Sequence, residues 1–203
     1  MNSERFERVV AYFDGIDRAT NYVYWGNIPT AGGSSMPTDI RKFGRCLEDL
    51  FDKRITRPSR VFHDAGYGDS RVVDTADAYG FAATGSEIDA LWAACGKRHT
   101  KNLHDAGAVN EVRLAHGNFI DDRTYHEGLG LDFSDVNVFF NFQNNPEMLA
   151  GKIAKQSPSG TVLLLACHLR QHPGFAGLES IATLPLDPNS KWAQFLHVYR
   201  KWR

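Results

Sequence analysis

The chain is poor in cysteine. Cys46, Cys95 and Cys167 are the only three in 203 residues, and no two form a CxxC pair. That spacing excludes a zinc knuckle and a dithiol redox motif, and a sparse, odd count suits a reducing cytosol. A surplus of one charge is also missing: 23 Lys and Arg stand against 24 Asp and Glu, a formal net charge of −1. Tight non-specific nucleic-acid binding rests on many Lys/Arg–phosphate contacts, so no strong nucleic-acid binding is expected. Long apolar runs are absent. The longest, Val162–Cys167, has six residues, whereas a membrane span needs about 20. The opening MNSERFERVV carries charges where a secretory signal would place its apolar core. These absences predict a cytoplasmic chain with no membrane partner. What is present is core material: 42% of residues are hydrophobic and 12% aromatic, which excludes disorder as the main state. A domain of this length buries roughly 70% of its unfolded surface without a metal or disulfide.

No repeat or low-complexity tract divides the sequence. Residues 4–13 place Phe6, Val9, Val10 and Phe13 at helical spacing. An aromatic cluster, Tyr22, Tyr24 and Trp25, precedes a Gly/Ser/Pro-rich loop over 26–37. Pro37 then predicts a helix carrying Ile40, Phe43, Leu47, Leu50 and Phe51, with Ser35 as its cap. Residues 1–57 therefore read as a helical, aromatic-bearing lid and 58–203 as the core.

Beyond Pro58, strands alternate with helices. Strands are predicted over 60–63, 81–86, 111–115, 136–142 and 160–167, and helices over 70–79, 89–106 and 146–156. Between Ala115 and Val136 lies a polar stretch. This alternation implies βαβ crossovers and a mainly parallel sheet. Two last strand-like runs, 178–184 and 192–199, are joined by the turn-forming PLDPNSK and read as an antiparallel hairpin. An α/β fold with five parallel strands and a terminal hairpin results.

The chemistry is written in Val61–Asp89. A strand ends at Asp64, Gly66-Tyr67-Gly68 makes a turn, a helix opens near Ser70, and the next strand ends at Glu87. Glycines let a backbone approach a ligand closely, and a carboxylate at the next strand tip can accept from both ribose hydroxyls of a nucleoside. A dinucleotide fingerprint would want a third glycine where Arg71 stands, and Asp69 would repel a pyrophosphate at the helix start. An acidic loop of Asp64 and Asp69 suits the cationic S-adenosylmethionine better.

These residues resemble class I S-adenosylmethionine-dependent methyltransferases over about 60–165. Asp64, Gly66 and Gly68 match the family's acidic-x-Gly-x-Gly-x-Gly motif, with Ser70 at the third glycine, and Glu87 matches its second-strand acid. Asn118-Phe119 stands where the family has Asp-Phe against adenine. The resemblance implies a Rossmann-like seven-stranded methyltransferase sheet and S-adenosylmethionine as cofactor, held by Asp64, Gly66, Tyr67, Gly68, Glu87, Asn118 and Phe119. A narrower likeness is to the non-SET histone lysine methyltransferases, the disruptor-of-telomeric-silencing family. Asn141, Phe142, Pro146 and Glu147 match its Asn-Phe-x-x-x-Pro-Glu segment, and Pro185, Trp192 and Phe195–His197 sit in a similar hairpin. That likeness implies N-methylation of an amine, on a protein lysine or a small molecule, with Asn141 and Tyr24 facing the acceptor. A small-molecule enzyme of a biosynthetic pathway and a non-catalytic module on the same fold are the rival readings.

The remaining candidates read more plainly. His168 and His172 have ligand spacing but precede Pro173-Gly174, so a metal-bearing helix is not expected. His63 reads as a satisfied core or interface histidine, and His99 and His104 as solvated helix residues. The basic run Arg41, Lys42, Arg45, Lys53, Arg54, Arg57 and Arg60 reads as a solvated face, interspersed with Asp39, Glu48, Asp49 and Asp52.

Overall fold

The computed structural model describes residues 3–20, 28–30, 33–35, 38–171, 174–187 and 194–202. Helix α1 (Ser3–Thr20) extends beyond the apolar stripe that predicts it. Its last turn is anchored by charge: Asp17 takes two hydrogen bonds from Arg71, at 2.8 and 3.1 Å. The stripe itself is core. Val9, Val10 and Phe13 are buried with Ile40, Ala78 and Leu103, so α1 packs on the body of the domain.

Short strands β1 (Ile28–Thr30) and β2 (Gly33–Ser35) pair antiparallel. Helix α2 (Ile40–Asp52) starts later than Pro37 and is capped by Asp39, whose Oδ1 accepts from Lys42 N at 3.1 Å. Ser35 is therefore in β2 and is not the cap. An Asp three residues before a backbone N–H does that work better than a Ser held in a strand.

The core sheet contains β3 (Val61–Ala65), β4 (Ala82–Glu87), β5 (Arg113–His116), β6 (Val138–Phe142), β7 (Val162–Cys167), β8 (Leu178–Asp187) and β9 (Gln194–Lys201). Their order is β5-β4-β3-β6-β7-β9-β8. The first five are parallel, and β9 pairs antiparallel with both β7 and β8. Alternation along β7 assigns the two faces. Leu164 and Ala166 join α2 and α3 (Arg71–Ala78) on one side. Leu163 and Leu165 join Leu149 and Ile153 of α5 (Pro146–Gln156) on the other. Helix α4 (Ala90–Asp105) links β4 to β5 and is capped by Asp89.

The polar stretch after β5 is not simple loop. It holds a π-helical turn, Thr124–Leu129, and a 3-10 turn, Phe133–Asp135. Buried Tyr125, Leu129 and Phe133 fix these turns against β3 and β6 through Ala65 and Phe139. Among the described residues no helix is long and apolar enough to cross a membrane.

The chain leaves β3 toward β4 and β5 on one side and returns through β6 and β7 on the other. In open α/β sheets, ligands bind outside the carboxyl ends of the strands at such a reversal of order.

Candidate functional site

The reversal lies between β3 and β6, and the predicted residues other than Tyr24 sit at or just after the ends of β3, β4, β5 and β6. Asp64 is the penultimate residue of β3 and only 2% exposed. Its carboxyl has no hydrogen-bond or ion-pair partner among the described residues. Burial, and then the charges of Glu87, Asp69 and Asp74, push it well above the usual carboxylate range. A buried, partnerless carboxyl is costly in a folded protein unless a cation or donor meets it.

The glycine turn follows. Gly66 (φ +101°) and Gly68 (φ +51°) lie in the left-handed region, where glycine is the cheap choice. Gly66 N donates to Ser86 O at 2.8 Å, tying the turn to β4. Gly68 N donates to Glu87 Oε2 at 3.0 Å, and Asp89 N donates to Glu87 Oε1 at 2.9 Å. Glu87 thus fixes the turn's height over the sheet, and each carboxylate oxygen keeps a lone pair.

Ser70, at the third motif position, has φ +72°, in the left-handed region that favours glycine. Its hydroxyl donates to Asp74 Oδ2 at 2.7 Å, and Thr100 donates to Asp74 Oδ1 at 2.8 Å. Burial raises Asp74 to about 8 despite these donors. Ser70 therefore exchanges glycine's freedom for a local hydrogen bond.

Several expectations need correction. Tyr67 is neither in a pocket nor on the surface. Its ring lies between Gly85 and Gly96, whose added Cβ atoms would stand 2.9 and 2.6 Å from it, and its hydroxyl donates to Ala93 O at 3.2 Å. The side chain is a core wedge under the turn. Asp69 does not offer a free charge to a cation. Arg71 pairs with it at 2.7 Å and with Asp17 at 2.8 Å. His99 is buried, with Nδ1 3.1 Å from Asp69 O and its ring edge-on to Tyr12 and Phe13. The helical pattern did not reveal that α1 covers that face of α4.

Asn141 is 0% exposed and does not face outward to an acceptor. Its Nδ2 donates to Ala65 O (2.9 Å) and Asn144 O (3.0 Å), and its Oδ1 accepts from Asn144 N (2.8 Å). It clips β6 to β3 and closes the turn before α5. Asn118 is exposed, and its Oδ1 accepts from Ile120 N at 3.0 Å, the oxygen expected to meet an adenine amino group. Phe119 is 7% exposed and packs with Ala115 and Tyr125. Tyr22, Tyr24, Trp25 and His172 lie outside the described residues. No group of three or more His, Cys, Asp or Glu among the described residues is arranged to hold a metal.

His63 is the satisfied core residue its position predicts. Thr84 donates its one hydroxyl hydrogen to Phe62 O, so His63 Nδ1–H donates to Thr84 Oγ1 (3.0 Å) and Nε2 accepts from Ser86 Oγ (3.0 Å). Burial lowers its pKa to about 3.

Two features escaped the sequence reading. Asn144 stands beside the turn, its Nδ2 3.4 Å from where a Gly66 Cβ would be. Its neighbours Gln143 (φ +48°) and Asn145 (φ +46°) are both in the left-handed region, a concentration of strain in the loop between β6 and α5. Exposed apolar side chains also gather at this end. Ile88, Leu91, Met148 and Leu169, four of the five large ones exposed among the described residues, lie in the loops or first helical turns after β4, β6 and β7. A Asn-rich turn before Pro was the only available signal for the first.

No protein-family description and no curated protein matches the chain. Solved structures do. An RNA methyltransferase from Salinibacter ruber, in complex with S-adenosyl-L-homocysteine, is 18% identical over 83% of this chain and 94% of its own, with a TM-score of 0.58. MtNAS in complex with MTA and tNA is 13% identical over 100% of this chain and 71% of its own, with a TM-score of 0.60. An rRNA methylase from Streptococcus thermophilus is 10% identical over 77% of this chain and 95% of its own, with a TM-score of 0.54. Sheet order, terminal hairpin and these likenesses together identify the fold as the Rossmann-like, seven-stranded methyltransferase fold.

Proposed function

We propose that the chain is an S-adenosylmethionine-dependent methyltransferase acting on a nitrogen of an amine-bearing protein or small molecule. The observation that carries the cofactor is Asp64: a buried carboxyl without a partner, beside a turn that only glycines form cheaply. A ligand with an ammonium and a sulfonium supplies the cation such a carboxyl lacks. Gly66 and Gly68 leave backbone room, and Glu87 keeps lone pairs for ribose hydroxyls while holding the turn. Asn118 and Phe119 border the adenine side, Phe119 through its backbone and ring edge. Tyr67 supports the turn from below and takes no part in contact. The similar structures solved with S-adenosyl-L-homocysteine or MTA support this choice of ligand.

The cofactor brings an electrophilic methyl group. The chain's own work is to align an acceptor and keep water out. The acceptor nitrogen must arrive neutral, its proton passing to solvent. Asn141 is a positioning residue in this account, setting the Asn141–Asn145 turn beside Gly66, while Tyr24 remains the candidate aromatic contact for the acceptor. Amine N-methylation rests on the Asn-Phe-x-x-x-Pro-Glu likeness alone, and no similar structure reported above belongs to the histone lysine group. The test is transfer of labelled methyl to lysine peptides, to small amines and to ribosomal RNA. Label in a peptide or amine supports the reading. Label in RNA alone replaces the acceptor class. No transfer by a protein that binds S-adenosylhomocysteine leaves the non-catalytic module.

A further inference from the structure

The opposite end of the sheet carries a second concavity. A cleft of about 710 Å³ opens at the amino ends of β3, β6 and β7, far along the strands from the glycine turn. Arg54, Arg57 and Arg60 line it, together with Phe51 and Ile55, and no carboxylate does. The three guanidinium groups have no ion pair or hydrogen bond to any described residue. Arg45 and Lys53 of the basic run are likewise without a side-chain partner among the described residues, but neither lines the cleft. Arg41 reaches Asp14 at 2.8 Å and Lys42 reaches Asp39 at 3.1 Å, which is how a solvated face normally answers its charges. Asn137, also on the cleft, accepts from Val61 N at its Oδ1 (3.0 Å), and its amide hydrogens have no partner among the described residues.

Three uncompensated guanidiniums over a partly apolar floor match an anion with an apolar body. Guanidinium is the side chain best shaped for a phosphate, which it can meet through paired N–H donors. A volume of this size falls in the range of small-ligand sites, roughly 300–1,000 Å³. A nucleic-acid strand would want a basic stripe running on past the three arginines, and the other residues lining the cleft carry no charge. We propose that this cleft binds a small phosphate ester, of which a nucleoside monophosphate is the simplest form. The arginines take the phosphate, and the Phe51–Ile55 side takes the base and sugar. The site is separate from the methyltransferase reading and does not depend on it.

The test is calorimetric titration of guanosine monophosphate into the full chain in the presence of saturating S-adenosylhomocysteine. Guanosine, inorganic phosphate and a short single-stranded RNA are titrated in parallel. Arg57 and Arg60 are exposed, so the double variant Arg57→Gln/Arg60→Gln keeps the fold. Binding of the monophosphate, with about ten-fold weaker binding of guanosine and a loss of about ten-fold in the variant, supports the site; that size is what one or two charged hydrogen bonds contribute. S-adenosylhomocysteine affinity stays the same in the variant. Absence of phosphate-dependent binding, or equal affinity in wild type and variant, overturns the proposal. So does RNA binding that strengthens with strand length and outcompetes the monophosphate.

Discussion

Gly96 sets two physical effects against each other, and the structure decides between them. It lies inside α4, where replacing glycine by alanine normally stabilises a helix by about 1 kcal/mol. At this position a Cβ would stand 2.6 Å from Tyr67 Cε2, 2.9 Å from Tyr67 Cδ2 and 2.8 Å from Gly68 O. None of these atoms has room to retreat. The ring is backed by Gly85 and held by the hydroxyl's bond to Ala93 O. The carbonyl belongs to the turn that Glu87 fixes. Overpacking costs about 1–3 kcal/mol, and three contacts under 3.0 Å put this site in the upper part of that range, about 2–3 kcal/mol. Gly96→Ala is therefore expected to destabilise the fold by about 1–2 kcal/mol net, lowering the melting temperature by roughly 2–8 °C for a chain of this size. Displacing Gly68 also weakens S-adenosylhomocysteine binding. Gly151→Ala in α5 is the control. Nothing lies within 4 Å of its added Cβ, so propensity acts alone and the melting temperature rises by about 2–4 °C. Differential scanning calorimetry on the two variants reads both signs. A Gly96→Ala protein that melts at or above wild type would refute the close packing of turn on helix.

Other residues give equally definite outcomes. Asn141→Ala strands the buried Ala65 carbonyl and the part-buried carbonyl and N–H of Asn144, and is expected to cost about 1–3 kcal/mol in urea unfolding; a loss below about 0.5 kcal/mol would remove its positioning role. Ser70→Ala keeps the φ of +72° and loses the bond to Asp74, whereas Ser70→Gly relieves the backbone. The glycine variant should be the more stable of the two by about 1 kcal/mol, by the cost of left-handed geometry, and equal unfolding midpoints would contradict it. His63 is held neutral, with a folded pKa of about 3 against an ordinary 6.5. The unfolded chain binds the extra proton between those values, so this contribution is complete above pH 6.5 and is lost as pH falls toward 3. Stability measured from pH 7 to pH 4 should accordingly fall less steeply in His63→Gln than in wild type, and parallel curves would count against the neutral buried ring.

The sheet was legible because its strands are short apolar runs punctuated by Gly, Pro and Asp. The helix over Pro146–Gln156 and the strand end at Glu87 fall where the pattern puts them. The 3-10 and π turns between β5 and β6 were not legible. They are too short for periodicity, and their order comes from tertiary burial of Tyr125 and Phe133. The site shows the same division. Glycine needs and a strand-tip acid are local properties, so Gly66, Gly68 and Glu87 could be picked from the sequence. The fates of Tyr67, His99 and Asn141 depend on partners 26, 30 and 76 positions away, namely Ala93, Asp69 and Ala65, and the Arg71 that pairs with Asp69 is itself held by Asp17, 54 positions away. No window along the chain contains those pairs. Side-chain chemistry alone made each look available, and packing has committed each to its neighbours.

The central claim is that Asp64, the glycine turn and Glu87 form an S-adenosylmethionine site. The most direct test is calorimetric titration of S-adenosylhomocysteine into wild type and Glu87→Gln. Glutamine keeps an acceptor for Gly68 N and removes the charge that would receive ribose hydroxyls. The account predicts one site in wild type and binding weakened by about 10- to 100-fold in the variant, the worth of a charge-assisted hydrogen bond. Absence of binding by folded wild type, or equal affinity in the two proteins, would contradict it.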